Sequence, residues 1–65
     1  MRINGKVEDM APATLAALLA ARGIDPAQRF LAVAVNGTVV PRRLWPSLTL
    51  GEGDDIEIVR PREGG

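Results

Sequence analysis

A chain of 65 residues that contains neither cysteine nor histidine has to fold by packing alone. Domains this small ordinarily supplement a thin core with disulfides or a structural metal, and those two residues are the usual means of doing so. What is left is one compact α+β core, with no room for a second. The same absence narrows the chemistry. Without a thiolate nucleophile or an imidazole that moves protons near neutral pH, an independent enzyme is not expected. Eight basic residues balance eight acidic ones, so no excess charge points to a nucleic-acid or membrane surface. The opening MRINGKVEDM lacks the apolar run of a signal peptide, and no window is long enough to span a bilayer. The expectation is a cytoplasmic protein.

The clearest element lies between Ala13 and Arg22. Leu15, Leu18 and Leu19 fall at i, i+3 and i+4, which draws one apolar stripe along a helix of about residues 14–22. Arg22 continues that stripe with an alkyl stem that lies on apolar surface while its charge stays wet. Thr14 suits the N-cap, although a start with Pro12 at the first helical position is also open. Gly23 suits the left-handed residue that closes a helix, and Asp25-Pro26 keeps the chain from continuing it. Ala16, Ala17, Ala20 and Ala21 complete the surface by helix propensity.

Around this helix the pattern is strand-like. Residues 1–7 alternate loosely, and Asn4-Gly5 either ends a first strand or turns it into a hairpin with a second near Val7. Phe30–Val35 (FLAVAV) reads as a buried strand, and Asn36-Gly37 turns it into a partner over Thr38–Val40 that Pro41 stops. Residues 42–48 are irregular, and Gly51–Asp54 makes another turn. Asp55–Arg60 alternates, with Ile56 and Ile58 on one face and Glu57 and Val59 on the other. The order β(β)–α–β–β–β predicts a mixed sheet of four to five strands covered on one face by a single helix. With first and last strands adjacent at its centre, that is a β-grasp domain over residues 1–60.

Residues 61–65 (PREGG) read as a flexible tail. Pro61 lacks a ladder donor, so pairing lapses near it. Six extended residues, 60–65, reach at most roughly 20 Å, enough to enter a deep cleft on another protein. A terminal Gly-Gly has a physical use there. A carboxylate attacks a nucleotide α-phosphate only in a site that aligns both groups and excludes water. Glycine threads the narrowest tunnel to such a site and accepts whatever dihedrals the threading demands. A carboxylate adenylated in this way is open to attack by sulfur, and the product is a thiocarboxylate. On its own Gly-Gly is a weak motif.

A more specific signal lies upstream. Ala-Val-Asn-Gly at 34–37, Val-Pro-Arg at 40–42, Trp45, the Gly-Asp turn at 53–54 and Gly64-Gly65 together resemble the ThiS family of sulfur carriers in thiamin thiazole biosynthesis. The likeness is close over the second half of the chain and holds in the first half only for the layout of strand and helix. It implies that Gly65 carries the carboxylate that an adenylating, ubiquitin-activating-like enzyme activates, and that Gly64 threads the tunnel. It also implies a sulfur donor such as a cysteine desulfurase and delivery of the sulfur to thiazole synthase. ATP and Mg²⁺ would be bound by the partner, since this chain shows no phosphate-cradling glycine loop. Pro61 departs from the pattern towards the small subunit of molybdopterin synthase, which leaves that pathway as an alternative. A ubiquitin-like modifier and a passive binding module remain open beside them.

Other residues carry weaker expectations. Ala32, Ala34 and Val59 are expected on the sheet face that the helix leaves open, where with Arg60 and Arg62 they would meet the adenylating enzyme. Trp45 is expected to pack over the edge of the core, with Arg42 and Arg43 solvated. Glu52, Asp54 and Asp55 read as a charged turn rather than a metal site.

Overall fold

The computed structural model describes residues 1–9 and 13–60. Five short strands form one sheet: β1 (Arg2–Ile3), β2 (Lys6–Val7), β3 (Ala32–Val35), β4 (Thr38–Val39) and β5 (Asp55–Val59). A helix, α1 (Leu15–Ala21), and a 3₁₀ turn, Arg42–Leu44, complete the elements. The strands lie in the order β2-β1-β5-β3-β4. β1 runs parallel to β5, with Ile3 beside Ile56, and the other neighbours are antiparallel. The expected side-by-side placement of the first and last strands at the sheet centre is therefore what the chain adopts.

The expected hairpin at Asn36-Gly37 forms, and of the two alternatives at Asn4-Gly5 the chain adopts the hairpin. Asn4 and Gly5 have φ of 52° and 80°, and Asn36 and Gly37 have 52° and 83°. These are the paired positive dihedrals that match a two-residue turn to the strand twist. Asn4 also reaches outside its own turn: its Oδ1 accepts the Ile58 N–H of β5 at 2.7 Å.

The helix is shorter than residues 14–22 because its ends are caps. Thr14 Oγ1 accepts the Ala17 N–H at 3.1 Å, as expected of an N-cap. The Leu15 and Ala16 N–H groups donate to the carbonyls of Leu48 and Trp45 at 2.9 and 3.0 Å. Donors that a helix leaves orphaned at its start are thus taken up by the segment after the 3₁₀ turn. At the other end Gly23 has φ of 71°, with Gly23 N–H bonded to Ala20 O and Ile24 N–H to Leu19 O. This double bond pattern is a Schellman closure, and buried Ile24 beside Leu19 supplies its hydrophobic contact. The alternative start at Pro12 lies outside the described residues.

Leu15, Leu18 and Leu19 bury their stripe against Ile3, Val33, Ile56 and Ile58 of the sheet, and Ile24, Leu31, Trp45 and Leu50 belong to the same core. Arg22 does not simply lie along this surface; it faces Glu8 at 3.6 Å, an exposed pair of small energetic weight.

Three expectations are corrected. The third strand begins at Ala32, not Phe30, because Phe30 turns to φ of 62° and is 76% exposed. Only Leu31 of that pair enters the core. The fourth strand's ladder stops at Val39, although the Val40 N–H still reaches Val33 O at 2.9 Å. The last strand ends at Val59 rather than Arg60.

Candidate functional site

The register of β3 against β5 decides which residues face away from the helix. Val33 lies opposite Ile58 and Val35 opposite Ile56, on the helix side. Ala32 opposite Val59 and Ala34 opposite Glu57 therefore face outward, and Val39 of β4 lies beside Ala34 on the same face. Val59 is 60% exposed and Val39 68% exposed, while Ala32 is open and Ala34 half-buried. The expected apolar strip of Ala32, Ala34 and Val59 on the uncovered face thus exists as a surface. Val39 widens it. The two-residue turn at Asn36-Gly37 had already set that register, so Val39 was legible from the sequence and was missed.

Arg60 follows this strip directly and is exposed. Arg62, Gly64 and Gly65 lie outside the described residues, as does the whole of the expected tail 61–65.

The Val-Pro-Arg…Trp block has a structural role that the sequence reading understated. Trp45 is only 2% exposed, so it sits in the core rather than over its edge, and its Nε1–H donates to Val40 O at 3.0 Å. Arg42 is not simply solvated. Its guanidinium donates to the carbonyls of Pro26, Gln28 and Leu31, the latter two at 2.9 and 3.3 Å. It also stacks 4.9 Å from the Trp45 ring centroid. One planar fork thereby satisfies three carbonyls of an otherwise irregular loop. The fork explains why β3 starts late: the loop backbone is held by a side chain instead of by a neighbouring strand.

At the opposite end of β5, Asp54 ties two turns together. Its Oδ2 accepts the Gly51 N–H at 2.7 Å and its Oδ1 accepts Asn36 Nδ2 at 3.0 Å, while Asn36 Oδ1 accepts the Asp55 N–H. The Gly51 hydrogen bond first, and then that from Asn36, hold the Asp54 carboxyl below its ordinary value. With the folded-state pKa depressed, the stabilisation is present above the ordinary carboxylate range and is lost as pH falls through the depressed value. Asp54→Ala is therefore expected to lower the urea midpoint at neutral pH, and the gap to wild type should shrink as the pH falls through the depressed carboxyl value. A gap that stayed constant across that range would show that the carboxylate charge is not what matters.

A sheet whose first and last strands run parallel at its centre, with one helix across one face and an apolar strip open on the other, defines the β-grasp class of ubiquitin-like proteins. A family model for the ThiS family matches residues 1–65, and the chain belongs to that family. Two solved structures of a thiamine biosynthesis protein from Geobacter metallireducens are similar to it. The crystal structure is 28% identical, with a TM-score of 0.73, covering 98% of this chain and 96% of the other. The solution structure is also 28% identical, with a TM-score of 0.78, covering 98% of this chain and 85% of the other. No curated protein matches the chain. Among the described residues no helix is long and apolar enough to cross a membrane.

Proposed function

We propose that this chain is a sulfur carrier of thiamin biosynthesis, acting through the carboxylate of Gly65 and not as an enzyme in its own right. The observation that carries the reading is the match of the family model across residues 1–65, the final Gly64-Gly65 included. The Geobacter protein described as a thiamine biosynthesis protein supports the pathway.

In this reading an adenylating enzyme binds ATP and Mg²⁺ and takes Gly65 into its own site, with Gly64 as the slender residue of the tunnel. The Gly65 carboxylate oxygen attacks the α-phosphorus and pyrophosphate leaves. A persulfide, its sulfur drawn from a donor such as a cysteine desulfurase, then displaces AMP from the acyl carbon, and a thiol reductant cleaves the S–S bond of the acyl disulfide. The resulting thiocarboxylate is delivered to thiazole synthase. Alignment and water exclusion are the partner's contribution, because an acyl adenylate exposed to solvent would hydrolyse. The carrier's contribution is a recognisable face, Ala32, Ala34 and Val59 followed by Arg60, with Arg62 of the tail as a further contact, and a reach of roughly 20 Å.

Intact-mass analysis of the protein purified from its own cells tests this. The C-terminal peptide should end at Gly65 with one oxygen replaced by sulfur, and that protein should yield thiazole phosphate when given to thiazole synthase with its substrates. Pro61 favours a second reading, a molybdopterin-type carrier. Sulfur accepted by a molybdopterin synthase large subunit, with no thiazole formed, would establish that reading instead.

A further inference from the structure

Phe30 is the one residue outside the Asn-Gly turns and the glycines that holds a positive φ, 62°, among the described residues. It is also 76% exposed. A bulky aromatic side chain disfavours this backbone region, where glycine or asparagine would be at ease. The core gains nothing from the ring. Leu31, immediately after it, is buried, and the carbonyls of Pro26, Gln28 and Leu31 are all held by Arg42. The chain is thus fixed on both sides of Phe30 and the ring is pushed outward, with the Arg29 guanidinium 5.2 Å from its centroid. Strain that survives because its surroundings over-determine it is a mark of a functional position.

The position of this corner indicates what it is for. Ala32 pairs with Val59, so continuing the register by one residue sets Leu31 beside Arg60, where the chain leaves the sheet. Phe30 therefore flanks the exit of the tail. Residues 61–65 span at most roughly 18 Å. A protein that encloses Gly65 must bring its surface up to this end of the sheet. Arg29, Arg42 and Arg60 gather at the exit of β5, whereas the acidic Glu52, Asp54 and Asp55 lie at its start, where Arg2 stands beside Asp55. Asp25, in the same loop, already accepts the Ala27 N–H.

We infer that Phe30, beside Arg29 and near the point where Arg60 leaves the sheet, is a docking corner for the enzyme that activates Gly65. That enzyme would offer an apolar recess for the ring and carboxylates for the two arginines. This rests on the sulfur-carrier reading above and adds the anchor and the charge of the surface that meets it.

The test uses ATP–pyrophosphate exchange by the adenylating enzyme of the same organism, with the full-length carrier varied in concentration. Phe30→Gly removes the ring and relieves the backbone, so its thermal midpoint should equal or exceed that of wild type. Its KM should nevertheless rise on the order of tenfold, the loss typical of an aromatic anchor, with kcat little changed. The double variant R29E/R60E should also raise KM, and its KM should depend less on salt than that of wild type. Wild-type KM in both variants would overturn the inference alone, as would a defect confined to the later step with thiazole synthase. No exchange with wild-type carrier would remove the functional reading and the inference with it.

Discussion

Trp45→Ala is expected to leave a large fraction of the protein unfolded at room temperature. The indole is 2% exposed, donates to Val40 O at 3.0 Å and carries the Arg42 guanidinium on its face. Truncating a buried tryptophan costs about 3–5 kcal/mol. A domain of 65 residues has only roughly 3–10 kcal/mol in total, at ~0.05–0.15 kcal/mol per residue. The loss also spreads. Without the ring beneath it, Arg42 no longer has a fixed plane from which to hold the carbonyls of Pro26, Gln28 and Leu31. Trp45→Phe keeps most of the volume and should retain a cooperative transition, at a cost of about 1–3 kcal/mol for the carbonyl of Val40 left without its donor. Far-UV circular dichroism across a urea series checks both. A Trp45→Ala protein that melts cooperatively within about 1 kcal/mol of wild type would show that the block does not anchor the loop.

Deleting Gly65 should have the opposite profile, with folding untouched and activation lost. The core cluster is drawn from Ile3 through Ile58, so the thermal midpoint is expected to stay at the wild-type value. In the proposed reaction the shortened chain ends its carboxylate one residue early, about 3.5 Å short of the α-phosphorus. A displacement of even 1 Å in an aligned site costs on the order of a hundredfold, so ATP–pyrophosphate exchange should fall by at least that factor. Gly64→Val, which widens the chain without shortening it, should be similarly inactive if a narrow tunnel encloses this segment. Undiminished exchange from the shortened chain would place the reactive group elsewhere, and from Gly64→Val it would rule out a narrow tunnel. Branched Gly-Gly adducts on other proteins would instead identify a modifier using the same activation.

Local patterns were legible wherever a local rule decides the structure. The leucine triplet in α1, the Thr14 cap, the Gly23 closure and both Asn-Gly hairpins each follow from residues within a few positions of one another. The two-residue turns also set the outward placement of Ala32 and Ala34 through strand register. Reading Phe30 as strand failed because FLAVAV has uninterrupted apolar character, and nothing near it in sequence announces the break. The break is imposed by Arg42, which lies 11 residues beyond Leu31. The gathering of Arg29, Arg42 and Arg60 was equally hidden, since they are scattered in the chain and meet only through the loop and the register.

Hydrophobic spacing and turn chemistry in this chain were enough to determine the order of its elements and the core-facing side chains of α1 and β5, because those depend on short-range periodicity and on dihedrals available to single residues. The tertiary fold alone decided that Arg42 would be a clamp, that Phe30 would stand exposed near the exit of β5, and that Arg29, Arg42 and Arg60 would gather there. Those outcomes depend on which distant backbone carbonyls and strands come within reach of one guanidinium and one register, and sequence spacing carries no distance across a fold.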